Sequence, residues 1–259
     1  MSALLNHFWA GHLGVFVVFL RLAGLFILIP VFSHRSIPGS ARVFLALSMS
    51  VAIHPIVAPF LPEIPESLGG MVLLALGQTA MGFLMGFVAY LTFEAINLAA
   101  QFIGFQIGFG IAGLMDPQTQ SQTSVLVPIH GLAALMIFLM ADMHHHVLFL
   151  FVKSFEVTAQ WDFSQNSELV TFIVAKVGML FSIAIQMAAP FTVLVLCTNV
   201  AIGVLARMLP QMNILLFSFP VTILVGMAAM YVVAPDMLSY MENTLGVVTE
   251  DLVDLLKRI

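Results

Sequence analysis

The stretch SLGGMVLLALGQTAMGFLMGFVAYLTFEAINLAAQFIGFQIGFGIAGLM, Ser67 to Met115, carries a single charge, Glu94. Its first part, 67–93, is longer than the roughly 20 apolar residues that span a hydrocarbon core. The same pattern recurs on both sides, with uncharged intervals at 1–20, 43–62, 95–115, 117–141, 177–206 and 208–235. Of the 259 residues 8% are charged and 61% are hydrophobic, with a mean hydropathy of +1.09. A soluble domain carries about 25% charged residues, so the composition defines an all-α, polytopic membrane-associated chain. Disordered chains need high charge and disulfide scaffolds need many cysteines, and Cys197 stands alone here. The net charge of -5 and the scattered basic residues exclude a nucleic-acid partner.

Pro, Gly, Ser and Asn collect at 33–42, 62–70, 116–124, 153–168 and 207–213, which divides the chain into about six long apolar helices. They are expected near 13–32, 43–61, 70–93, 125–150, 169–206 and 214–235. The fifth exceeds one crossing and contains Pro190, so a tilt, kink or projection beyond the bilayer is expected. Met1 to Phe8 has no Lys or Arg, so the first segment is read as a span and not a cleaved signal. Arg35, Arg42 and Arg207 put the loops at 33–42 and 207–213 in the cytoplasm by the positive-inside rule. Lys153, Lys257 and Arg258 then fall outside. Between Leu245 and Ile259, Val248, Leu252, Leu255 and Leu256 alternate with acids, the pattern of a short amphipathic surface helix.

The segment 94–115 behaves differently. Glu94, Asn97, Gln101, Gly104 and Gly108 recur at intervals of 3, 4, 3 and 4, one polar-to-small helix stripe. Gly104 and Gly108 form a GxxxG pair that admits a second backbone. Gly110 and Gly113 follow, and glycine at this density weakens a helix by about 1 kcal/mol per site relative to Ala. Two readings stay open: an ordinary helix whose glycines allow tight packing, or a chain that leaves the helix after Gly108. In the second, Phe105, Phe109, Ile111 and Met115 sit on a glycine-hinged re-entrant segment, an apolar constriction able to close a pore.

Arg21, Glu94 and Lys176 are charges in or beside apolar spans and must face the bundle interior, a partner or water. With no file of carboxylates or histidines along one helix, ion pairs that fasten helices in an assembly fit better than a proton path. Asp142, His144, His145 and His146 are ligand-type residues, and Asp142 and His146 share a helix face. Adjacent histidines point apart, however, and no HExxH motif accompanies them. They are read as a helix end at the membrane surface, and no metal or other cofactor is expected. Ser48, Ser50 and Ser182 lack a nucleophile elbow and no phosphate-binding loop occurs, so the chain is read as a non-enzyme.

Two stretches carry a family resemblance. LARMLPQMNILLFSFPVTILVG, Leu205 to Gly226, is similar to the helical hairpin of the flagellar FliR and virulence type III secretion export-gate family, which turns at a Pro-Gln-x-Asn corner. QFIGFQIGFGIAGLMDPQTQSQT, Gln101 to Thr123, resembles that family's glycine-rich segment ending in Asp-Pro. Arg21 with Pro30, Ile37-Pro38 with Arg42, and the Asp142–His146 helix end agree in order along the chain. The resemblance implies a subunit of the flagellar export gate at the basal body in the bacterial inner membrane, assembled with FliP and FliQ beside FlhB and FlhA and passing unfolded protein substrates. It implies a FliP-like part over 1–168 and a FliQ-like hairpin over 169–259. Gln101 to Thr123 would be the channel plug, and Arg207, Pro210, Gln211 and Asn213 the corner at the cytoplasmic entrance. Family members lift much of their apolar surface out of the lipid onto neighbours, so Arg21, Glu94, Asn97, Gln101 and Lys176 would serve subunit contacts.

A gate must stop ions yet yield to a polypeptide, which apolar side chains on a glycine hinge can do without chemistry. The rival reading is a secondary transporter for a small solute, with Glu94 and Gln101 at a midplane site. Such proteins carry matching interrupted helices in each half, and only one glycine-rich interruption is present here. An intramembrane metalloenzyme using His144 to His146 is a third reading and would need bound metal.

Overall fold

A computed structural model describes residues 2–33, 37–109, 124–158, 167–209, 211 and 213–259. The described residues are helical, without strands. In chain order the helices are α1 (Ser2–Leu28), α2 (Pro30–Ser33), α3 (Gly39–Val57), α4 (Leu68–Ile107), α5 (Leu126–Met140), α6 (Met143–Val157), α7 (Ser167–Met208) and α8 (Ile214–Arg258). Helices cover the described parts of the expected apolar segments. Four described stretches are long and apolar enough to cross a membrane, Gly39–Phe60, Leu68–Ile107, Glu168–Met208 and Leu216–Arg258, and α5 with α6 makes a fifth if the bent pair is one span. His12–Leu28 is a shorter apolar helix.

The boundaries differ from the sequence reading in three places. Helix α4 runs through Glu94, so 94–107 continues the span at 70–93, and its 40 residues extend for about 60 Å. Helix α8 likewise runs from Ile214 through Asp236, Glu242, Pro220 and Pro235 to Arg258, so Leu245 to Arg258 is the end of a long helix and no separate surface element. The apolar side of that end is buried: Leu245, Val248, Leu252, Leu255 and Leu256 are at most 5% exposed. Third, the expected span at 125–150 is two helices bent by 69° at Ala141–Asp142. Asp142 has φ 53 and ψ 21, a left-handed conformation that Asp tolerates because its short side chain bonds locally. Helix α7 passes Pro190 as one helix of 42 residues. Proline is tolerated at membrane depth where neighbouring groups satisfy the freed carbonyls.

The chain divides into two compact units that interleave along the sequence. The first comprises Met1–Leu91, Leu139–Lys176 and Gly246–Ile259. There α1 packs on α3, and α3 on α6. Val18, Leu22, Leu25 and Phe26 form the buried stripe of α1, and Met81, Met85 and Val88 that of α4. Glycine sets how close α1 and α4 come. A Cβ on Gly82 would overlap the Arg21 carbonyl, one on Gly24 the Thr79 carbonyl, and one on Gly86 would lie 2.8 Å from the Leu25 oxygen. The second unit comprises Thr92–Phe138 and Val177–Leu245. Its core holds Ile96, Ala99, Ala100, Ile103 and Ile107 of α4, and Ala184, Met187, Phe191 and Val195 of α7. Hydroxyls on these apolar helices donate to the carbonyl four residues back, as Thr79 to Ala75, Thr198 to Leu194 and Thr222 to Ser218, which removes polar groups from an apolar surround.

Candidate functional site

The glycine-rich end of α4 lies in the second unit. Asn97 Nδ2 donates to Glu94 Oε2 at 3.3 Å, so the acid's partner is on its own helix. One turn on, the Gln101 side-chain oxygen accepts from the Ser124 amide at 3.3 Å. A Cβ on Gly104 would overlap the Ser124 side chain. These two contacts tie 101–104 to Ser124, the beginning of the next described segment. Gly108 has φ +100, a left-handed backbone that glycine adopts freely, and α4 ends at Ile107. The helix is broken at Gly108, and Phe109 directly after it is again helical. The paired glycines do different work: Gly104 permits a close approach, and Gly108 ends the helix.

Around this terminus Gln106 Nε2 donates to Thr192 Oγ1 of α7 at 2.8 Å, and Ile107 packs against Gly226 of α8, where a Cβ would lie 2.5 Å from Ile107 Cγ1. Two residues beyond the sequence reading thus fix the stem, the Thr192 side chain by its hydrogen bond and Gly226 by the room it leaves. Phe105 points away from this packing and is 54% exposed, whereas Phe109 is half-buried. Gly110, Ile111, Gly113 and Met115 lie outside the described residues.

At the other named corner, Arg207, Gln211 and Asn213 are exposed, and Pro210 lies outside the described residues. Asn213 precedes α8, and its Oδ1 accepts from the Leu216 amide at 3.4 Å while its carbonyl accepts from Phe217. Asn is a favoured residue at this position because its side chain satisfies a donor that the first turn leaves open.

Two of the intramembrane charges have their contacts in the first unit. Arg21 is fully buried. Its Nε donates to Gln78 Oε1 at 2.8 Å, one terminal nitrogen to Ser154 Oγ at 2.9 Å and the other to the Thr158 carbonyl at 2.8 Å. The guanidinium lies 3.8 Å from the centre of the Phe155 ring. Three neutral acceptors and an aromatic face hold this charge, where the sequence reading expected an ion pair. Lys176 does form one, donating from Nζ to Asp251 Oδ1 of α8, with the Phe172 ring 5.3 Å away. Its signal was present in the sequence, since Asp251 falls on the same stripe as Val248 and Leu255.

Long apolar helices, a glycine-terminated one among them, and charges placed to join helices define a multi-pass membrane protein. The family of bacterial export proteins, family 1, matches residues 13–247. Flagellar biosynthetic protein FliR of Bacillus subtilis (strain 168) is 30% identical over 244 residues, covering 93% of this chain and 93% of the relative. FliR of Escherichia coli (strain K12) is 29% identical over 242 residues, covering 93% and 91%, and that of Caulobacter vibrioides is 24% identical over 212 residues, covering 82% and 84%. The chain belongs to this family, that of the flagellar biosynthetic FliR proteins, and is a component of the flagellar export apparatus.

Proposed function

We propose that this chain is a structural and gating subunit of the flagellar protein-export channel, supplying part of its wall and its closure. The observation that carries the reading is the end of α4: Gly108 ends the helix in a left-handed turn, with an exposed Phe105 just before it. Gln101 and Gly104 hold the Ser124 end of the intervening segment against the helix. The apolar side chains Phe105, Phe109, Ile111 and Met115, set among glycines, would supply a seal that can yield to a polypeptide. Unfolded flagellar proteins are the substrates of this reading, and the bacterial inner membrane is its site.

Its partners are FliP, FliQ, FlhB and FlhA, with 1–168 acting as the FliP-like part and 169–259 as the FliQ-like hairpin. The exposed apolar side chains of α7, such as Val193, Leu196 and Val200, suit neighbours as well as lipid. The corner at Arg207, Pro210, Gln211 and Asn213 faces the cytoplasm in this reading.

Replacing Phe105 and Phe109 with Ala, or deleting Gly108 to Gly113, in the assembled complex is expected to raise ion leakage across the membrane. Unchanged leakage removes the plug role. Mild-detergent purification is expected to retain FliP-like and FliQ-like subunits; a chain recovered alone that takes up a small solute would point to the transporter instead.

A further inference from the structure

The turn between α5 and α6 gathers three ligand-type side chains, Asp142, His144 and His145. We propose that Asp142, His144 and His145 bind one divalent transition ion of borderline softness, of the zinc class. The sequence argues against such a site because neighbouring histidines on a helix diverge. The structure removes that objection at the first turn of α6, where the His144 and His145 rings lie 4.0 Å apart and tilted by 36°. Asp142 precedes the helix in its left-handed conformation, which swings its carboxylate over the same turn: Oδ1 is 3.2 Å from His145 Nδ1.

One ligand atom from each of the three residues lies within 4.8 Å of the others. A tetrahedral zinc ion with bonds of about 2.0–2.1 Å needs ligand atoms about 3.3 Å apart. The carboxylate and the His145 ring already meet that spacing, and a side-chain rotation of His144 closes the rest. Asp142 and His145 are 70% and 67% exposed, so an ion can reach them and they are free to adjust. His144 Nδ1 is sealed from solvent and has no hydrogen-bond partner among the described residues. His146 stands apart from the cluster, with its Nδ1 at 3.3 Å from the Asp142 carbonyl.

Two imidazoles and one carboxylate, with positions left for water, favour zinc, cobalt, nickel or copper over magnesium or calcium, which take oxygen ligands. The ion would join the residue before α6 to that helix's first turn.

The test uses the full chain in detergent, purified through a tag without histidine and stripped with chelator. Titration with Zn2+, and with Co2+ read by its visible absorption, is expected to saturate at one ion per chain and to be insensitive to excess Mg2+. Asp142→Asn, His144→Gln and His145→Gln are each expected to weaken binding at least tenfold, and His146→Gln to leave it unchanged. Helicity and elution volume report whether each variant is folded, and the exposed Asp142 and His145 keep the test usable if His144→Gln is not. Absence of stoichiometric uptake, unchanged binding in Asp142→Asn and His145→Gln, or equal loss in His146→Gln overturns the site.

Discussion

The surroundings of Arg21 and the face of α7 treat the same residue types in opposite ways. Around Arg21, glycines are filled: Gly24 and Gly82 face the backbone of the opposing helix so closely that a methyl group would overlap it, and each guanidinium nitrogen has an acceptor inside the chain. On α7, Gly178 and Gly203 face nothing within 4 Å, while Val193, Leu196, Val200 and Val204 are 55–63% exposed. The first region is complete within one chain. The second leaves apolar surface for lipid or a neighbouring subunit, so apolarity alone does not separate a core from an interface. What separates them is whether opposing atoms are present.

This contrast can be broken most forcefully at Arg21. Arg21→Ala leaves a cavity and strips Gln78, Ser154 and the Thr158 carbonyl of their donor, at an expected cost of about 3–5 kcal/mol. Thermal unfolding of the purified chain in detergent checks it, and a melting temperature equal to wild type would show that the network holds nothing together. Lys176→Met should come next. It leaves the Asp251 carboxylate, 9% exposed, without its cation, at about 3 kcal/mol, whereas Lys176→Met with Asp251→Leu should recover most of that loss. A double variant as unstable as the single one would mean that the pair acts through more than its charges.

Gly82→Ala, which adds only a methyl group, is expected to cost about 1–3 kcal/mol because the α1 backbone must move. Gly203→Ala should have the opposite sign. With open space around it and a helical backbone, the free chain should gain up to about 1 kcal/mol. Equal losses at Gly82 and Gly203 in the same melting assay would erase the distinction between the two regions.

Legibility followed the same division. The six apolar segments were readable because apolar runs bounded by turn residues have few alternatives in a chain with so little charge. Their lengths were misjudged where charge was taken as a boundary. Glu94, Asp236 and Glu242 all lie inside helices, since a helix continues wherever its backbone bonds close, whatever solvent a side chain prefers. The GxxxG spacing was noticed at Gly104 and Gly108 but is equally present at Gly82 and Gly86, where it marks the α1–α4 contact. Spacing names a small surface without naming what lies against it. The partners of Arg21 were not legible for a related reason: Gln78 is 57 residues away and Ser154 is 133, and no local pattern links such positions.

The sequence by itself determined an all-α, multi-pass membrane chain, the places of its apolar runs and its family resemblance. These depend on solvent preference and on backbone freedom, which are local properties. Tertiary structure alone decided that Arg21 is held by neutral acceptors, that Lys176 is paired with Asp251, that α5 and α6 bend at a left-handed Asp142, and that His144 and His145 come together there. Each depends on groups brought into reach by packing or by a single backbone angle, and neither is set by composition or period.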